Sequence, residues 1–186
     1  MKLLLYCTKA KPYLYYAQES RTLMEIDNSF EGYKTTNKNV DDTLNGKIVA
    51  ECDFEVERLQ IVYGKGWETK TIKGTENIEK LTCLSRDELY QYCKGNGYAI
   101  HIKNLHIFDK PRELEDYEDE WEYPLEKAPQ NMRICYSTLY SNIEADMPIK
   151  TDSYILTSIK PEWLCKILNG EKTIEVRNKV LKEMLE

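Results

Sequence analysis

Residues 158–177 read SIKPEWLCKILNGEKTIEVR, and this stretch decides the fold class. Tyr154–Ile159 is an apolar strand that runs into it. Pro161 suits the first position of a helix, where a missing N–H costs nothing. Trp163, Leu164, Ile167 and Leu168 then recur at helical spacing and give that helix an apolar stripe. Gly170 is a natural C-terminal stop, and Lys172–Arg177 returns as a strand. Along that strand Ile174 and Val176 point one way, and Thr173, Glu175 and Arg177 the other. A strand, helix and strand this short cannot bury its own stripe. It needs a sheet supplied by the rest of the chain.

Working outward, that sheet is legible. Lys2–Cys7 is a short buried strand. Lys47–Arg58 is the clearest two-residue period in the chain: Ile48, Ala50, Cys52, Phe54 and Val56 share one face, and Val49, Glu51, Asp53, Glu55 and Glu57 the other. That pattern predicts a half-buried strand, apolar inside and acidic outside. Leu59–Tyr63 is read as a neighbouring strand and residues 64–77 as loop. Ser85 and Glu88 form a capping box that opens a helix through about Cys93, ended by Gly95 and Gly97. Tyr98–Ile102 alternates again, with a bulge or bend expected at Lys103-Asn104. Leu105–Phe108 resumes the strand, and Asp109-Lys110-Pro111 is expected to stop it. Residues 9–45 are polar and aperiodic and read as an insertion. Residues 138–153 read as a linker.

The chain has 186 residues and a net charge of −6. That length holds one compact domain, or one domain plus a decorated tail, with an ample core. Hydrophobic residues are 41% and charged residues 31%, a globular balance. No apolar run reaches the ~18 residues of a membrane span, and no signal peptide is read at the start. The expectation is a cytoplasmic protein with no membrane partner. The acidic balance disfavours a general nucleic-acid coat but leaves room for a local basic pocket. Six cysteines form no CxxC pair, so neither a metal site nor a cofactor is expected, and the thiols read as small buried side chains. Residues 113–122, ELEDYEDEWE, carry seven carboxylates in ten positions. Such a run ordinarily marks a solvated face.

Chemistry concentrates in the opening segment. Glu175 and Arg177 share a strand face and Lys172 sits at the glycine turn before them. Arginine offers a fixed fork of donors for phosphate or a base edge, glutamate accepts from an exocyclic amine, and lysine supplies a movable charge. Periodicity alone favours an exposed, weak Glu–Arg surface pair. Ser158 and Lys160 lie at the end of the Tyr154–Ile159 strand, and Thr8 and Lys9 at the end of the first strand. His101 lies in an alternating strand, where a lone histidine is more often structural.

The segment resembles the signature of the ASCH domain, in the PUA-like superfamily. The family pattern is a strand ending near S-I-K-P, a helix, and G-x-K-T-I-E-x-R, matched here by Gly170, Lys172, Thr173, Ile174, Glu175 and Arg177. Leu3–Thr8, Gly46–Val56, Leu84–Tyr92 and Gly97–Leu114 resemble the remaining pieces of that domain. The order differs. The signature usually comes first, and here it comes last, which implies a circular permutation; a truncated second copy or a domain-swapped dimer are the alternatives. The resemblance implies an α+β fold, a small, mostly antiparallel β-barrel with short flanking helices. Residues 1–137 would form its body and 154–186 would complete it.

The resemblance also implies a cleft for RNA or a modified nucleoside or nucleotide. Its lining would be Ser158, Lys160, Lys172, Glu175, Arg177, Thr8, Lys9 and His101. Two other functions stay open. One is a nucleoside amidohydrolase or ribonuclease with Lys172 as the catalytic candidate, although the family's amidohydrolases carry threonine where this chain has Glu175. The other is an acidic inhibitor of phage type, with Glu118, Asp119, Glu120 and Trp121 meeting a basic nucleic-acid-binding protein. The Lys-, Asn- and Tyr-rich composition suits an AT-rich bacterial or phage genome.

Overall fold

The computed structural model describes residues 1–8, 35–36, 39–40, 44–63, 70–73, 76–138 and 152–185. In chain order its elements are β1 (Lys2–Cys7), β2 (Thr35–Thr36), β3 (Asn39–Val40), β4 (Ile48–Tyr63), β5 (Lys70–Lys73), α1 (Ile78–Thr82), α2 (Arg86–Cys93), β6 (Asn96–Arg112), β7 (Tyr117–Glu118), β8 (Met132–Ser137), β9 (Ser153–Ile159), α3 (Pro161–Leu168) and β10 (Ile174–Arg177). The fold is α+β: mixed sheet with a few short helices. The chain forms two compact units, Met1–Cys52 with Leu105–Asn169, and Asp53–Asn104 with Gly170–Glu186. Strands β4 and β6 give residues to both. Most of the expected insertion and of the expected linker lies outside the described residues.

In the first unit β1 has a partner on each side. It runs antiparallel to β4, Leu3 opposite Cys52, and parallel to β9, Leu3 opposite Ile155. A strand enclosed this way is apolar on both faces, and Leu3, Leu4, Leu5, Tyr6 and Cys7 are all buried. Strand β9 continues antiparallel to β8, and β8 to β7. The core gathers Leu4, Ile48, Phe108, Tyr117, Tyr154 and Leu156, among others. Each such side chain, fully buried, stabilises by about 1.5–3 kcal/mol. Tyr117 meets Tyr154 edge-on at 5.9 Å between ring centroids, and its hydroxyl accepts a 2.8 Å hydrogen bond from Arg112. Helix α3 begins with Pro161 at its first turn and buries Leu164, Cys165, Ile167 and Leu168.

In the second unit β10 runs antiparallel to β6, Ile174 opposite His101 and Val176 opposite Ala99, and β5 runs antiparallel to β4. Ile174 and Val176 point into a core with Leu59, Ile78, Leu89 and Cys93. Helix α2 is opened by the capping box: Ser85 Oγ accepts from the Glu88 N–H, and Glu88 accepts from the Ser85 N–H. Gly97 is required by close approach, since a Cβ there would stand 2.6 Å from Cys93 Sγ.

Three local expectations change. Strand β4 is continuous through Tyr63, because its alternation simply extends past Arg58. Residues 70–73 form β5 rather than loop, pairing with the far end of β4. Strand β6 continues to Arg112; a proline near a strand's end need not break a ladder. The bend expected at Lys103-Asn104 is present, with Asn104 at φ 48°.

Candidate functional site

The second unit holds a buried ionic cluster built on β10. All four residues of that strand are buried. Glu175 stands between two cations: its Oε1 is 3.0 Å from an Arg177 guanidinium nitrogen, and its Oε2 is 3.4 Å from Lys172 Nζ. Lys172 reaches this position from the turn at Gly170, whose φ of +76° suits glycine. The Lys172 side chain is 2% exposed, and its Nζ donates a 2.9 Å hydrogen bond to the Thr82 carbonyl, the last residue of α1. A cation there satisfies a carbonyl that the helix end leaves over. Thr82 is itself buried, its hydroxyl donating to the Ile78 carbonyl at 2.7 Å. The Arg177 guanidinium also acts on the hydroxyl of Tyr92 on α2. Burial pulls the Lys172 amine below its ordinary value, opposed by the charge of Glu175. Burial likewise raises the Tyr92 phenol, the neighbouring Arg177 acting against it.

The expectation of an exposed Glu–Arg pair is therefore corrected. Lys172, Glu175 and Arg177 are brought together as anticipated, but in a buried network rather than on an open surface. The reason is that α1 and α2 contact β10 on top of its ladder to β6. Thr82 and Tyr92 complete the cluster. The first contributes a backbone oxygen, which carries no sequence signal. The second stands on the α2 stripe and reads as packing.

His101 also belongs to the second unit. Its Nε2 lies 3.3 Å from Glu57 Oε2 on β4. Thr8, Ser158 and Lys160 belong to the first unit. The Thr8 N–H donates to the Ile159 carbonyl at 3.0 Å. Ser158 is buried, its hydroxyl donating to the Pro129 carbonyl at 2.6 Å. Lys160 is exposed before α3, 4.0 Å from Glu162. Lys9 lies outside the described residues.

Comparison with family models, curated proteins and solved structures returns no match.

Glu118, Asp119, Glu120 and Trp121 fall in a hairpin rather than a loose run. The Asp119 and Tyr123 backbones pair, the Leu125 N–H donates to the Tyr117 carbonyl, and Glu118 bridges to Pro124. Asp119 ties the turn: Oδ1 accepts from the N–H groups of Trp121 and Tyr123, and Oδ2 from Arg133 at 2.8 Å. Among the described residues no group of three or more His, Cys, Asp or Glu is placed to hold a metal ion. Among them, too, no helix is long and apolar enough to cross a membrane.

Proposed function

We propose that the chain is an ASCH-type, PUA-like domain, permuted and closed as a small barrel, that binds a nucleoside, a nucleotide or an RNA element through Gly170–Arg177. The observation that carries the reading is the placement of Glu175 between Lys172 and Arg177 in a buried setting. Three ionised groups withdrawn from water cost several kcal/mol each before pairing. Clusters kept at that cost are concentrated where a ligand uses them. The Arg177 fork suits a phosphate or the Hoogsteen edge of guanine, Glu175 accepts from an exocyclic amine, and the Tyr92 ring offers a stacking face.

The proposed activity is binding. Glu175 offers no hydroxyl to accept an acyl group. Lys172, desolvated and lowered in pKa, is the group that would serve as a general base if turnover were detected. The test is mass spectrometry of small molecules released on denaturation, followed by calorimetric titration with the four nucleoside monophosphates and a short single-stranded RNA. A bound nucleotide whose affinity falls about tenfold in Arg177→Lys, equivalent to about 1.4 kcal/mol, supports the reading. No released nucleotide together with no measurable titration overturns it. Deacetylation or strand cleavage by wild type, lost in Lys172→Gln, would replace it with an enzymatic one.

A further inference from the structure

The hairpin 117–125 presents two aromatic rings to solvent. Trp121 is 71% exposed and Tyr123 69%. Large aromatic side chains left this open are unusual on a folded surface and are the residue types that anchor protein interfaces. They are held firmly, because Asp119 fixes the turn from inside with three hydrogen bonds, and Glu122 takes a left-handed φ of 62°. Glu118, Glu120 and Glu122 flank the rings. None of the three has a cation within 4 Å among the described residues.

A separate observation lies at the base of the same hairpin. Residues just before and just after it, Glu113, Glu115 and Glu126, line a cleft of about 340 Å³ with Tyr6, Asn45 and Lys47. Lys47 is committed to Glu113 in an ion pair. Lys127 also lines the cleft, so Glu115 and Glu126 leave its balance acidic. Asn45 also lines the cleft, and its Oδ1 is buried and accepts no hydrogen bond among the described residues. A buried acceptor without a donor is costly and calls for a partner.

We infer that the hairpin and the cleft at its base form a docking surface for an arginine-bearing basic segment of a partner protein. Trp121 and Tyr123 pack against the partner, and an arginine enters the cleft to donate to Asn45 Oδ1 and to the carboxylates of Glu115 and Glu126. Arginine fits better than lysine because its fork serves several acceptors at once. The hairpin tip stands about four residues from its base, roughly 13 Å at strand spacing, so an extended peptide of similar length spans both. The charge is complementary only to a basic partner, which selects a protein segment over a nucleic acid. The inference is independent of the nucleotide-binding reading, since every residue it uses belongs to the first unit.

The probe is a capped peptide of six arginines, titrated against the full chain and followed by NMR. Expected shifts centre on the Trp121 indole, the Asn45 side-chain amide and the Gly46 N–H. Trp121→Ala should weaken binding at least tenfold and Asn45→Ala severalfold. The control Glu76→Gln/Glu183→Gln, which removes two carboxylates from the second unit, should change it less than twofold. A six-lysine peptide should bind more weakly than six arginines. Equal binding of the two peptides, equal weakening by the control, or shifts spread evenly over all carboxylates would reduce the effect to net charge and overturn the inference. So would a short RNA that moves the Trp121 indole as strongly.

Discussion

Glu175→Gln is the sharpest perturbation of the buried cluster. The substitution keeps the size of the side chain and removes the single anion held between Arg177, at 3.0 Å, and Lys172, at 3.4 Å. Two buried cations then face a neutral amide. Breaking a buried pair from one side costs about 3–5 kcal/mol, a large share of the 5–15 kcal/mol typical of a whole domain. Urea unfolding followed by tryptophan fluorescence would register this as a lower midpoint at unchanged slope. The deficit should also depend on pH. Burial lowers the Lys172 amine most and Arg177 adds to that, while Glu175 is the main neighbour that raises it, with a smaller contribution from Cys83. Without Glu175 the folded-state amine falls further below its ordinary 10.5. Relative to wild type the penalty is complete below the variant's folded value and shrinks as pH rises to the wild type's own folded value, which is higher though still lowered; the unfolded chains titrate alike and cancel. In a Lys172→Met background the same Glu175→Gln change should cost clearly less, because one of the stranded cations is gone. A deficit under about 1 kcal/mol, flat with pH, would match an exposed pair screened by water. It would refute the argument that the network is buried.

Other outcomes follow from the packing. Burial pushes the thiols of Cys7 and Cys135 up to about 12 and that of Cys165 to about 11, against an ordinary 9.0. Their contribution is complete below pH 9 and is lost as pH rises through the folded values, at up to about 1.4 kcal/mol per pH unit per thiol. Cys135→Ala should therefore flatten the alkaline stability curve by about that amount. In the native protein a disulfide-exchange reagent should label Cys83 first, because the other five thiols are buried, and titrate all six only on unfolding. Gly97→Ala should destabilise by about 1–3 kcal/mol through overpacking against Cys93; a change within 0.5 kcal/mol, read by thermal melting, would show that the contact yields.

The elements read most easily were those whose sequence carries a local device. Pro161 with the Leu164, Ile167 and Leu168 stripe yields α3. The Ser85–Glu88 box yields α2, and strict alternation yields the first half of β4. Strand β8 went unread because Met132–Ser137 mixes buried and half-buried positions without a clean period. Helix α1 is five residues long, with no side-chain cap at Asn77, so nothing local announces it. The pairing of Lys172, Glu175 and Arg177 was legible from strand parity. Their burial was not, because it depends on α1 and α2 packing beside β10, a tertiary fact. The Asp119 turn was hidden for the opposite reason: seven carboxylates in ten positions mask the one that is structural.

The double partnership of β1 has a consequence for synthesis. Its antiparallel partner β4 follows within some fifty residues, but Lys2 does not meet Tyr154 until roughly 150 residues have been added. At translation rates of about 5–20 residues per second, the β9 edge of β1 waits about 8–30 s on the ribosome. Throughout that time an apolar Leu3-Leu4-Leu5 edge with unpaired backbone groups is open to any other strand. Nascent chains of this protein are thus expected to be most dependent on chaperones, and most prone to pair with one another, in the interval before Ser153–Ile159 has been made.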